Sequence, residues 1–217
     1  MRPDLARGRC EHDRCTSVDG EVYRALLADG TGRLFCKEHY LLDFSEEHLG
    51  YEIGRLFSSI VRRRGETLPG DFGNFLTESF ALHLRNLIDF IYPAGLFSEN
   101  RPPDPEWRNP RDIGAEEFVV SVAAWRTSRG KPSLSMREAR TRANREVAHL
   151  TMDRIRGIGP RKLWSPVSLL WEIVPLFGLF HTHASAQRLH VSIVERIRMF
   201  EEAIPKFQQD SFGAPSS

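Results

Sequence analysis

Cysteine is scarce in this 217-residue chain: there are three, at positions 10, 15 and 36, and none beyond. An odd number crowded into one short stretch is a poor disulfide framework, which excludes a disulfide-stapled secreted scaffold. Excess charge of one sign is also missing, with 30 Lys and Arg against 29 Asp and Glu. That balance excludes a global polycation, so any nucleic-acid surface must be a local patch. There is no long apolar run. The longest, Val167 to Phe180, contains Glu172 and Pro175 and falls short of the roughly 20 residues that cross a bilayer. The first residues, MRPDLARGRCEHDRC, lack the apolar core of a secretory signal, so the expectation is a cytoplasmic protein without membrane association. No G-x-S-x-G, P-loop or G-x-G-x-x-G occurs, leaving α/β-hydrolase, P-loop NTPase and Rossmann readings without a motif.

What is present is the composition of a globular domain, 41% hydrophobic and 27% charged with 14 Phe. The three cysteines fall in a pattern with one histidine: Cys10 and Cys15 as C-x4-C, then Cys36 and His39 as C-x2-H, separated by a glycine-containing stretch. Zinc takes four nitrogen or sulfur ligands in a tetrahedron, and two short knuckles closed by a loop supply them. His12 competes with Cys15 for one position. A segment this short cannot bury a stable core, so metal would supply its folding energy and, with four protein ligands, would be structural. Gly20, Gly30 and Gly32 suit turns between short strands, and Phe35 and Tyr40 flank the second knuckle. The segment resembles the zinc-ribbon or treble-clef-like modules of bacterial and phage proteins.

From Ser45 the apolar spacing changes to a helical period. Leu49, Ile53, Leu56, Phe57 and Ile60 form a stripe after a Ser45 N-cap, and Arg62, Arg63 and Arg64 close it. Phe72, Phe75, Leu76, Phe80, Leu84, Leu87 and Ile91 form a second stripe. Prolines at 93, 102, 103, 105 and 110 then impose a loop. Further helices are expected over 115–128, from a Ser135 capping box to about Arg156, over 166–180 and over 184–203. The expected fold is mainly α: a bundle of about six helices over 44–204, a small zinc-binding module over 1–43, and a disordered tail over 205–217.

The stretch 129–162 holds ten Lys or Arg against three acidic residues, a local charge of +7. On a regular helix Met136, Ala139, Ala143, Val147 and Leu150 share a core face, while Arg142, Arg145, His149 and Arg156 share the adjacent one. Such a seam suits phosphate, with Arg140, Arg156, Arg161 and Lys162 as further contacts. His83 sits in the apolar stripe of its helix, either as a satisfied core histidine or facing the same cleft as His149. Arg85 and Asp89 are spaced as a helix-stabilising pair. The hairpin-like Gly157-Ile-Gly159 reads as a helix terminator. His181, His183 and His190 are set aside as a metal group because an i,i+2 pair diverges on a helix.

The segments SFALHLRNLIDFIY, ANREVAHLT and LWEIVPLFGLF resemble an uncharacterised bacterial all-helical family and, more loosely, the HEPN superfamily of helical bundles. That family carries an R-x4-6-H motif, matched here by Arg142 and His149. The resemblance implies an RNA-directed protein able to form a homodimer, in a superfamily whose members include metal-independent endoribonucleases of defence and toxin systems. It implies Arg142 and His149 as the catalytic pair, with Arg145 beside them. The competing expectation is a non-catalytic zinc-containing module that binds nucleic acid or a protein partner.

Overall fold

The computed structural model describes residues 5–8, 11, 15, 20–26, 32–64, 70–97, 108–109, 112–145 and 164–211. Three short antiparallel strands come first: β1 (Leu5–Gly8), β2 (Gly20–Leu26) and β3 (Gly32–Phe35), paired in sequence order. Leu5 stands opposite Tyr23, and Tyr23 opposite Phe35. Gly20 and Gly32 open β2 and β3, where turns were expected. Seven helices follow among the described residues: α1 (Lys37–Phe44), α2 (Gly50–Arg64), α3 (Gly70–Ile91), α4 (Val122–Arg129), α5 (Leu134–Ala143), α6 (Pro166–His183) and α7 (Val191–Ser211). A π-type turn at Ser45–Leu49 joins α1 and α2 without a break, giving six helical rods and the mainly helical bundle expected.

Ser45 therefore does not cap a helix; it lies inside one. Its hydroxyl donates to the Leu42 carbonyl at 2.8 Å and accepts the His190 backbone N–H at 2.9 Å, tying the turn to the start of α7. The expected module boundary at 43/44 falls within this continuous rod. Two other caps also shift. The segment from Ala115 is a single 3-10 turn, and α4 begins only at Val122, where the Ser121 side chain accepts the Ala124 N–H. The cap of α5 is Ser133, accepting the Met136 N–H at 3.1 Å, whereas Ser135 donates to Glu172. The last helix starts at Val191 rather than 184 and runs through the expected tail to Ser211.

The core is built from the stripes. Leu49 of the π-type turn and Ile53, Leu56 and Ile60 of α2 meet Leu76, Phe80, Leu84, Leu87 and Ile91 of α3, together with Ile173 and Phe177 of α6 and Ile193, Ile197 and Phe200 of α7. Phe75 departs from its stripe and is exposed. Aromatic packing closes the far end, where Trp125, Phe118 and Phe90 all meet the ring of Phe180. An isolated bridge between Val119 and Ala184 links the segment before α4 to the end of α6. No described helix is long and apolar enough to cross a membrane.

Candidate metal centre and basic face

Cys36 follows β3 directly and stands immediately before α1, and His39 lies in the first turn of that helix. The C-x2-H spacing thus wraps its two ligands around one helix N-terminus, where the helix dipole favours a thiolate. Cys15 approaches from the preceding chain. One ligand atom from each of Cys15, Cys36 and His39 falls within 4.8 Å of the others, a group able to hold a metal ion. The two sulfurs are 3.9 Å apart and Cys36 Sγ is 3.1 Å from His39 Nδ1. Zinc–sulfur bonds of about 2.3 Å at tetrahedral angles place two sulfurs about 3.8 Å apart, so the spacing of the pair fits a shared ion. It is far too long for a disulfide. Cys10 and His12 lie outside the described residues. The module is fastened to the bundle by ion pairs from α1: Lys37 to Glu117 at 2.7 Å and Glu38 to Arg188 at 3.3 Å.

Within the described part of the basic stretch, several arginines make contacts that hold the fold together. Arg129 is buried, 3.6 Å from Glu116 and over the Tyr92 ring. Burial lowers its basicity, Glu116 opposes that shift, and burial likewise raises the Tyr92 phenol against the pull of Arg129. Arg137 donates to the Leu96 carbonyl at 2.9 Å. Arg140, expected to contact nucleic acid, is instead half-buried, paired with Asp89 and stacked over Phe97 at 4.4 Å. The expected Arg85–Asp89 pair forms at 3.6 Å, so Asp89 serves two cations.

Arg142 has its guanidinium 4.3 Å over the indole of Trp164, which in turn meets Phe80 edge-on in the core. Stacking uses the flat face of a guanidinium and phosphate binding uses its N–H edge, so one arginine can do both. Arg145 is exposed on a wider turn at 144–145 that follows α5. His149, Arg156, Arg161 and Lys162 lie outside the described residues, as does the helix expected there to residue 156. Met136, Ala139 and Ala143 are buried as the core face requires.

His83 is a buried, satisfied histidine: its Nδ1 lies 2.7 Å from Glu52 Oε2, and Tyr51 packs edge-on against its ring. Glu52 Oε1 accepts from Asn86 at 3.2 Å. It is Glu52, not His83, that lines the neighbouring cleft of about 420 Å³, along with Phe44, His48, Arg85, Asn86 and Asp112. His190 is engaged by Ser192 at 2.8 Å, and His181 and His183 join no metal group among the described residues. Glu52 and Trp164 carry no local signal, since their partners stand 31 and 22 positions away. Comparison with protein-family models, with curated proteins and with solved structures returns no match.

Proposed function

We propose that this protein is an RNA-directed, HEPN-like helical bundle carrying a zinc-stapled sheet module, and that it cleaves RNA without a catalytic metal. The observation that carries the reading is Arg142, held over Trp164 and lying within the most basic stretch of the chain. An arginine whose guanidinium is held over an aromatic face loses less entropy on meeting a phosphate than a splayed one. In the reaction, the RNA 2′-oxygen attacks the adjacent phosphorus as His149 takes its proton. The bond from phosphorus to the 5′-oxygen breaks, His149 returns the proton to that oxygen, and a 2′,3′-cyclic phosphate remains. Arg142, with Arg145 nearby, offsets the charge gathering on phosphorus.

Zinc belongs to the module. Cys15, Cys36 and His39 supply three borderline-soft ligands, and Cys10 is the fourth by its spacing, leaving no open position for chemistry. A non-catalytic RNA-binding role is the second reading, favoured by the diversion of Arg129, Arg137 and Arg140 into internal contacts. Titration of RNA binding against salt tests the common ground. Arg142→Ala is expected to weaken binding and lower the salt slope by about one. Binding with no salt dependence, or with Arg142→Ala indistinguishable from the parent chain, contradicts the proposal.

A further inference from the structure

Cys15 and Cys36 are brought together by the backbone as well as by their chemistry. Phe35, the residue before Cys36, stands opposite Tyr23 in the sheet, and the backbone N–H of Glu11 donates to the Leu34 carbonyl at 2.7 Å. The chain that leads to Cys15 is thereby tied to the strand that delivers Cys36. Their sulfurs stand 3.9 Å apart although 21 positions separate them in sequence. A disulfide needs a sulfur separation of about 2.05 Å, so a shift of about 2 Å shared by two side chains closes the gap. Neither sulfur is in a disulfide, and both residues are half-buried, so a small solute reaches them where a sealed structural pair is inert.

Cysteines hold zinc as thiolates, and the thiolate is also the form that peroxide oxidises. One sulfur attacks an oxygen of hydrogen peroxide, the O–O bond breaks, and a sulfenic acid forms as hydroxide leaves. The other thiolate attacks the sulfenic sulfur, the S–S bond forms, and a second hydroxide departs. Two protons from solvent convert both hydroxides to water, and the two electrons lost by the cysteines have reduced the peroxide. A disulfide sulfur is no longer a thiolate ligand, so the metal group loses two of its members. His39 takes no part in the new bond. Zinc joins the segment at Cys15 to two points one turn apart, Cys36 and His39, whereas the disulfide keeps only the first. Oxidation therefore removes one of the sheet's two holds on α1, the helix that Lys37 and Glu38 fasten to Glu117 and Arg188.

We infer that Cys15 and Cys36 form a reversible, peroxide-sensitive pair that exchanges the module's zinc for a disulfide and loosens the sheet. The inference rests on the zinc reading for the ion released, but mapping of the disulfide tests it separately. Zinc-loaded full-length protein is titrated with hydrogen peroxide while a colorimetric chelator follows released zinc, and the product is mapped by mass spectrometry. Zinc is expected to leave in step with a disulfide between Cys15 and Cys36, and reduced glutathione with added zinc is expected to restore the starting state. Trypsin is expected to cut after Arg24 and Arg33 several-fold faster in the oxidised protein, with the bundle cut no faster. Cys10→Ser, whatever zinc it carries, is expected to form the same disulfide. Zinc retained in excess peroxide, zinc lost without a disulfide, a disulfide that recruits Cys10 in place of either partner, or oxidation that glutathione and zinc fail to reverse overturns the pair. Equal trypsin rates in the two states overturn the loosening of the sheet. Protein that holds no zinc contradicts the metal reading, and the presence or absence of the mapped disulfide then decides the redox pair alone.

Discussion

The guanidinium of Arg140 reaches from α5 to the carboxylate of Asp89 on α3 and lies over the ring of Phe97. One side chain thereby clamps two helices and the 3-10 turn at Ala94–Phe97 together. Because Asp89 also faces Arg85, loss of the carboxylate leaves two cations short of a partner. Asp89→Asn is expected to lower unfolding stability by about 1–3 kcal/mol, and Arg140→Met by less, because its methylenes keep some contact with Phe97. Chemical denaturation measures both. RNA affinity of the folded Arg140→Met protein is expected to match the parent, and a large loss would return Arg140 to the nucleic-acid face.

Metal occupancy is the simplest quantity to check. Purified protein is expected to carry about one zinc per chain. Cys15→Ser, Cys36→Ser and Cys10→Ser are each expected to reduce that content sharply. Chelation should lower the thermal midpoint, since a module of this size lacks a core of its own. Full zinc content in Cys36→Ser would contradict the ligand set.

Ser45 is buried and bonded on both sides, accepting the N–H of His190 and donating to Leu42. Ser45→Ala leaves that N–H without its partner inside the fold. A destabilisation of about 1–3 kcal/mol is expected by denaturant titration. Ser45→Ala with unchanged stability would show that the contact contributes nothing to docking α7.

Alkaline pH probes the buried phenol. Tyr92 is raised above its ordinary value of 10.0, chiefly by burial. Its neutral form is the one the fold prefers, so its contribution is intact below the unfolded value and is lost as pH climbs through the raised folded value. Tyr92→Phe is expected to flatten the alkaline limb of the stability profile relative to the parent. At neutral pH the change should be small, because the bond from the hydroxyl to the Arg129 carbonyl is long, 3.4 Å. An alkaline limb identical in parent and variant would assign the loss to other groups.

The helical stripes were legible because burial enforces them: Leu84, Leu87 and Ile91 recur at the spacing that one helix face demands, and all three are in the core. The ligand group was legible for a similar reason, since C-x2-H fixes two ligands on one helical turn. Caps were not. Ser133 and Ser135 offer the same hydroxyl and both donate to Glu172, 39 and 37 positions away, yet only Ser133 also accepts the Met136 N–H and caps the helix. The continuity of α1 into α2 was hidden because Ser45 resembles a cap until His190 arrives from a distant segment. The partners of Arg129 and Arg140 were hidden for a related reason: charge density along the chain does not reveal that Glu116 and Asp89 stand on other elements.

Cleavage is the most direct test of the central claim. Zinc-loaded protein is incubated with end-labelled single-stranded and structured RNA in a magnesium-free buffer without chelator, so that the module keeps its metal, beside His149→Ala. The expected result is fragments ending in cyclic phosphate, with the rate falling by about a hundredfold or more in the variant. Cleavage undiminished in His149→Ala, or RNA left intact by the parent protein, would contradict the assignment of Arg142 and His149 as a cleaving pair.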